Sequence, residues 1–275
     1  MTDKAEWEGR VGRSWAGEWR RTDRSFAALT QRLLAAATEV PFARALDVGC
    51  GAGEVSLGLA RSATDAEVVG IDVSEDLLQV ARERGRDVAN ASFELADAAR
   101  WCRPGFAPDL LVSRHGVMFF ADPVAAFAHL ASFAAPSARM AFTCFRSVDE
   151  NAWARGLGEL LPGGPGAPPP PGQPGPFAFA DEAHVRGILD EAGWHDVSFD
   201  AVDFSYIAGE GGDAVEDALS YFLVIGPAAR AAAGLDAGAR AMFVERLREF
   251  LAQHLHAGEV ALGAGAWLVR ARRDH

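Results

Sequence analysis

The sequence predicts an α/β fold, a doubly wound and mainly parallel sheet, on three observations. From Ala43 onward, short apolar runs alternate with segments of helical periodicity, the pattern of βαβ units. A glycine-rich turn joins the first run to the first helix. An acidic residue closes the second run about twenty residues later, the spacing of a ligand-binding α/β crevice.

The apolar runs predict strands over 43–48, 67–73, 91–96, 109–113 and 140–145, with helices over 54–62, 74–84 and 124–134 between them. Ser74, followed by Glu75 and Asp76, is an N-cap with an acidic first turn. Ahead of this core, Trp7, Trp15, Trp19, Phe26, Leu29, Leu33 and Leu34 recur at near-helical spacing, which predicts an amphipathic helix pair over 7–38. After it, the stretch 161–176 is so dense in Pro and Gly that it reads as an extended loop, a lid over the substrate side. Helices are then expected over 181–192, 215–233 and 237–254, and strands over 197–207 and 260–270. The last two strands complete the sheet, and the helical material between them sits over its carboxyl edge. The chain thus divides into an amino-terminal helical cap (1–40), an α/β ligand-binding core (41–150), a lid and helix (151–195), and closing strands with a helical substrate cap (196–275).

With 275 residues, 49% of them hydrophobic, the chain can bury a sizeable core. A formal net charge of −12 repels a phosphate backbone, and no Lys/Arg cluster offsets it, so nucleic acid is not the expected partner. No apolar run reaches the roughly 20 residues that span a bilayer, and the first ten residues are charged where a secretion signal is apolar. No membrane association is expected, and the cytoplasm is the expected compartment. Cys50, Cys102 and Cys144 lack the spacing of a disulfide framework or metal site, and the histidines lack ligand spacing, so no metal is expected.

The chemistry concentrates in LDVGCGAGEVSLGLA. A strand ends at Val48, Gly49, Gly51 and Gly53 follow at alternate positions, and a helix begins near Glu54. Glycines permit a tight turn and close ligand approach, and the helix start offers unpaired N–H groups. The dinucleotide fingerprint G-x-G-x-x-G is not met, and Glu54 suits a pyrophosphate poorly. Together with Asp47 it favours a cationic ligand with an amino group and no phosphate. Asp72 in VVGIDVS stands where a carboxylate accepts from ribose hydroxyls. Asp97 in ELADAARW ends the third strand, where it can accept from an adenine amino group, with Ala98 or Trp101 lining the ring.

These residues resemble the class I methyltransferases, whose first motif is D-x-G-x-G-x-G and whose second is the acidic end of the second strand. Later segments, among them DLLVSRHGVMFFADPVAAFAHL and AWLVRARR, are similar to a bacterial small-molecule subgroup distantly related to the quinone-biosynthesis C-methyltransferases. The resemblance implies S-adenosylmethionine as cofactor, S-adenosylhomocysteine as product, and a small-molecule acceptor methylated at O, N or C. It implies that Asp47, Gly49, Cys50, Gly51 and Gly53 meet the methionine part, Asp72 with Val73 the ribose, and Asp97 with Ala98 the adenine. Arg114 is a further cofactor candidate. The chain is expected to be a monomer or homodimer.

The sulfonium methyl is already activated, so transfer requires positioning, exclusion of water and in some cases removal of a proton. Neither the Asn/Asp-Pro-Pro-aromatic motif nor the Pro-Cys dipeptide of nucleic-acid methylation follows the fourth strand, which ends Ser113-Arg114-His115-Gly116. His115 is the candidate base there; the resembling proteins often carry an aromatic residue at this position, which leaves the reading as a pocket wall open. Trp15, Phe119, Arg146 and Trp153 are candidate substrate-pocket residues, with Arg114 or Arg146 able to bind a carboxylate. Two other readings stand beside this one: a catalytically silent S-adenosylmethionine-binding partner protein and an NAD(P)-linked oxidoreductase.

Overall fold

The computed structural model describes residues 4–161, 164 and 172–274. Most of the stretch read as a lid, residues 162–163 and 165–171, lies outside the described residues.

The amino-terminal segment forms three helices where the spacing predicted a pair: α1 (Lys4–Glu8), α2 (Arg10–Gly17) and α3 (Trp19–Thr38). Gly9 and Glu18, at the junctions, both lack helical backbone angles. In α3, Phe26, Leu29, Leu33 and Ala37 are buried at steps of three and four, the stripe a helix needs to lie on a sheet. Next come β1 (Arg44–Val48), α4 (Glu54–Ser62), β2 (Glu67–Asp72), α5 (Glu75–Arg84), β3 (Ala91–Leu95), β4 (Leu110–Arg114), α6 (Pro123–Phe133) and β5 (Arg139–Phe145). Each lies within a residue or so of its predicted place. Ser74 caps α5 as expected, accepting from Leu77 N.

After α7 (Ala152–Leu160) and α8 (Glu182–Glu191) runs β6 (Trp194–Glu210). The predicted helix 215–233 is two: α9 (Ala214–Phe222) and α10 (Gly226–Ala233). Gly226 has φ +72, and Pro227 in the first turn of α10 lacks the N–H that would continue α9. Then follow α11 (Ala237–Ala252), the two-residue β7 (Leu255–His256) and β8 (Glu259–Arg273).

The sheet order is β3-β2-β1-β4-β5-β8-β6, with the first five strands parallel and β8 antiparallel to both β5 and β6. The sheet of the predicted fold class is therefore present. Phe145 pairs with Ala266, so residues 259–265 of β8 and their partners in β6 run past the carboxyl end of β5 as a two-stranded ribbon. Helix α9 packs on this ribbon and α11 on α9 and α7, which puts helical material over the carboxyl edge. Side chains alternate along β5: Phe142 meets Phe127 of α6, while Phe145 meets Phe26 of α3, so these helices cover opposite faces. One apolar core runs from α3 through the sheet to α11. Among the described residues no helix is long and apolar enough to cross a membrane.

Candidate active site

The glycine turn holds itself together with its own donors. Gly49 and Cys50 donate their N–H groups to Ile71 O, Gly53 donates to Cys50 O, and Gly51 donates to Asp72 Oδ2 at 2.8 Å. Four N–H groups that a pyrophosphate would need are thereby spent. Gly49, Gly51 and Gly53 all have positive φ (+67, +54 and +84), which glycine alone adopts without penalty. A Cβ on Gly51 would meet nothing within 4 Å, so this side of the turn is open to a ligand. The Cys50 thiol points back toward the sheet, 8% exposed, and burial raises its pKa well above the ordinary thiol range. Its side chain offers a ligand nothing.

Asp47 is 1% exposed. Its Oδ2 accepts from Ser56 Oγ at 2.5 Å, while Oδ1 has no partner. Burial pushes the carboxyl up to about 6, opposed by the Ser56 hydrogen bonds. An unpaired buried carboxylate oxygen costs free energy that a cation would recover. Asp72, half-buried at the end of β2 with Val73 after it, accepts from Gly51 N and, at 2.9 Å, from Ser74 N. Burial raises its pKa against those bonds. An open glycine cradle, an orphaned anionic oxygen and a carboxylate at the strand end fit an aminoacyl nucleoside without phosphates.

The cap reaches this edge. Lys4 Nζ donates to Asp97 Oδ2 at 2.9 Å, which holds the Asp97 carboxyl below its usual range against its partial burial. Trp7 lies 5.7 Å from Trp15 and 5.3 Å from Phe119, ring centre to ring centre. A Cβ on Gly12 would stand 2.2 Å from Ser74 Oγ, so α2 seats directly on the start of α5. Trp15 and Phe119 thus come together through Trp7, a residue the sequence assigned only to the cap. Ala98 is buried beside Asp97, but Trp101 turns away and packs on Phe106 and Phe133 with its indole N–H on Glu94, so it does not line an adenine site.

On the other side of the turn, Ser113 Oγ donates to Val48 O at 2.7 Å and accepts from Gly116 N. A Cβ on Gly116 would lie 2.6 Å from Val48 O and 2.9 Å from Gly49 Cα, so the β4 loop rides on the glycine turn itself. His115 therefore sits next to the glycine turn, as its position at the end of β4 predicts. Its backbone is left-handed at φ +65, its ring is 9% exposed, and neither ring nitrogen has a partner. It stacks on Phe145 at 4.1 Å and meets the edge of Phe26 at 5.3 Å. Burial, and secondarily Arg114, lower its pKa to about 3, so the imidazole is neutral.

The two candidate arginines are already paired. Arg114 donates to Thr30 Oγ1 at 2.8 Å, pairs with Asp23 at 3.4 Å and lies over the Phe26 ring. Asp23 also pairs with Arg84, which donates to Ala52 O in the glycine turn and pairs with Glu54. Helix α3 is thus tied to both loops by a cluster that single-residue reading did not reveal. Arg146 is not brought to this site: it pairs with Glu150 and Asp203 over Trp267, which shares a face with Cys144 and not with Phe145. Trp153 is brought in, 5.1 Å from Phe145.

Residues 45–137 match the family model described as a methyltransferase domain. The trans-aconitate 2-methyltransferase of Variovorax paradoxus is 40% identical over 92 residues, 34% of this chain and 34% of its own length. The demethylmenaquinone methyltransferase of Symbiobacterium thermophilum is 39% identical over 70 residues, 25% of each chain. The chain spans about a third or less of the length of these curated relatives in its matches. The solved phosphoethanolamine N-methyltransferase 2 of Haemonchus contortus, in complex with phosphomonomethylethanolamine and S-adenosylhomocysteine, superposes with a TM-score of 0.55. It is 15% identical, over 95% of this chain and 57% of the other. The fold is that of the class I methyltransferases. Residues 45–137 are thus similar to a methyltransferase domain, in line with the motif resemblance.

Proposed function

We propose that this protein transfers a methyl group from S-adenosylmethionine to a small-molecule acceptor by in-line displacement. The observation that carries the reading is the orphaned Oδ1 of buried Asp47 beside a turn in which Gly49, Cys50, Gly51 and Gly53 spend their N–H groups inside the protein. That arrangement suits a cationic amino group and leaves a pyrophosphate fewer donors in the turn, which weighs against the NAD(P) reading. When bound, the cofactor supplies an activated methyl; the chain supplies placement. Asp47 and the glycine turn would hold the amino-acid part, Asp72 with Val73 the ribose, and Asp97 with Ala98 the adenine. The Lys4–Asp97 pair and the Trp7, Trp15 and Phe119 rings would cover that side and exclude water. His115, next to the turn, would take the acceptor's proton or hydrogen-bond it from a neutral imidazole nitrogen. The cytoplasm remains the proposed compartment, supported by cysteines that are all free.

Calorimetry with S-adenosylmethionine and S-adenosylhomocysteine, followed by a metabolite screen with labelled donor, tests the proposal. Saturable binding with label transfer supports it. Binding without transfer to any acceptor favours the silent partner protein, and NADH binding in place of both ligands overturns the reading.

A further inference from the structure

Around His115 the fold assembles rings from five separate stretches of chain. Phe26 of α3 lies against both Tyr206 of β6, at 5.2 Å, and Phe145 at the end of β5, at 6.1 Å. Trp153 of α7 stacks on Tyr206 at 6.1 Å and on Phe177 at 5.8 Å. Two buried polar side chains beside this box lack a well-formed hydrogen bond, although the His115 imidazole also feels the Thr143 backbone as an acceptor. One is the His115 imidazole; the other is the Thr143 hydroxyl, 0% exposed and without a partner, on the same face of β5 as Phe145. Leaving such groups buried and unpaired is costly, and a left-handed non-glycine residue adds backbone strain, a combination that concentrates at ligand sites.

The charges near the box are cancelled from within. Arg114 over Phe26 is held by Asp23 and Thr30, and Arg21 over Tyr221 by Glu18 and Asp217. A polycarboxylate would find no free cation among the described residues that touch these rings, and desolvating it there would be costly. A flat ring would find stacking partners on every side. Since the box rings touch, an incoming ring must move one of them. Half-buried Phe177, in an irregular segment and not on a strand or long helix, is the wall with the least to hold it.

We infer that the acceptor pocket takes a neutral aromatic compound bearing a hydroxyl group, which hydrogen-bonds to the His115 imidazole between the Phe145, Trp153 and Tyr206 rings. The inference rests on the methyl-transfer reading and sharpens its acceptor. It departs from what the name of the trans-aconitate relatives would suggest.

The test is calorimetric titration of the full chain with 2-naphthol and, separately, with trans-aconitate, with S-adenosylhomocysteine titrated alone as an independent readout of the cofactor site. Expected are saturable binding of 2-naphthol, no saturable binding of trans-aconitate, and 2-naphthol affinity about three- to tenfold weaker in His115→Phe, the factor one hydrogen bond is worth. His115→Asn, an amide that tolerates positive φ, should regain part of that loss and serves if the Phe variant does not fold. The inference is overturned if 2-naphthol does not saturate the wild-type chain, if trans-aconitate binds as tightly, or if the folded variants keep wild-type affinity. Failure of the methyl-transfer reading would show separately, as absence of S-adenosylhomocysteine binding.

Discussion

Gly51 donates its backbone N–H to Oδ2 of Asp72 at 2.8 Å, so the carboxylate assigned to the ribose also braces the glycine turn. Asp72→Ala is therefore expected to weaken S-adenosylmethionine binding by about 1–3 kcal/mol, the cost of leaving polar partners unsatisfied. Asp72→Asn, which keeps one acceptor oxygen, should lose less. Calorimetry on the folded variants decides it, and unchanged affinity in the alanine variant removes the ribose assignment.

Asp47 predicts a pH effect on stability. Its folded pKa of about 6 lies above the ordinary 3.8, so between those values the folded state holds more protons than the unfolded one. Stability contributed by the protonated group is present below about 4 and lost as pH rises through 6. At about 1.4 kcal/mol per unit the loss approaches 3 kcal/mol. Asp47→Asn should recover up to that amount at pH 7 and nothing at pH 3.5, as read from denaturant midpoints; an equal effect at both pH values refutes the assignment.

His115 pulls the other way. Its folded pKa of about 3 lies below 6.5, so the unfolded chain binds the proton more readily and stability falls as pH drops from 6.5 toward 3. His115→Phe should flatten that acid limb. Above pH 6.5 the ring is already neutral, so turnover of an identified acceptor should show no inflection from this group between pH 6 and 9. An inflection near 6.5 that disappears in the Phe variant would show that the bound complex restores a normal imidazole.

The Lys4–Asp97 pair separates cover from contact. Lys4 is half-exposed, with 52% of its side chain accessible, and such ion pairs contribute about 0–1 kcal/mol. Lys4→Ala should leave both stability and cofactor affinity within about twofold. Asp97→Ala should cost about tenfold in affinity if the carboxylate accepts from adenine. Equal losses in the two variants would mean that Asp97 acts only through Lys4.

Gly116→Ala tests the contact between the two loops. Its Cβ would lie 2.6 Å from Val48 O, and backbone on both sides cannot yield cheaply, so a loss of about 1–3 kcal/mol in stability is expected. Thermal unfolding of the variant reads it directly.

What the sequence made legible follows from local pattern. The five parallel strands and the helices between them were readable because period and glycine punctuation are local properties. The same signals missed the break at Gly226-Pro227, whose apolar flanks continue the helical spacing on either side. The site was half legible. Asp47, Gly51, Asp72 and Asp97 lie at strand ends in register, but Ser56 under Asp47, Lys4 on Asp97 and Asp23 between two arginines are products of tertiary packing alone. Phe26, Phe145, Phe177 and Tyr206 gave no signal as pocket residues, because a core aromatic and a pocket aromatic look alike until the chain is folded. The dipeptide His115-Gly116 after a strand was a usable signal for the loop contact and passed unread.

The position of β8 between β5 and β6 carries a consequence for how the molecule comes into being. Both neighbours precede it in the chain, and among the described residues β6 pairs with no other strand. Until residues 259–273 arrive, β5 and β6 present open edges, and Phe145 and Tyr206 have no strand to hold them level. Such non-local closure is slow and leaves pairing edges exposed in the interval. Assembly of the His115 enclosure is accordingly a late event in folding, and a chain cut short before β8 would be prone to self-association long before its activity could be asked about.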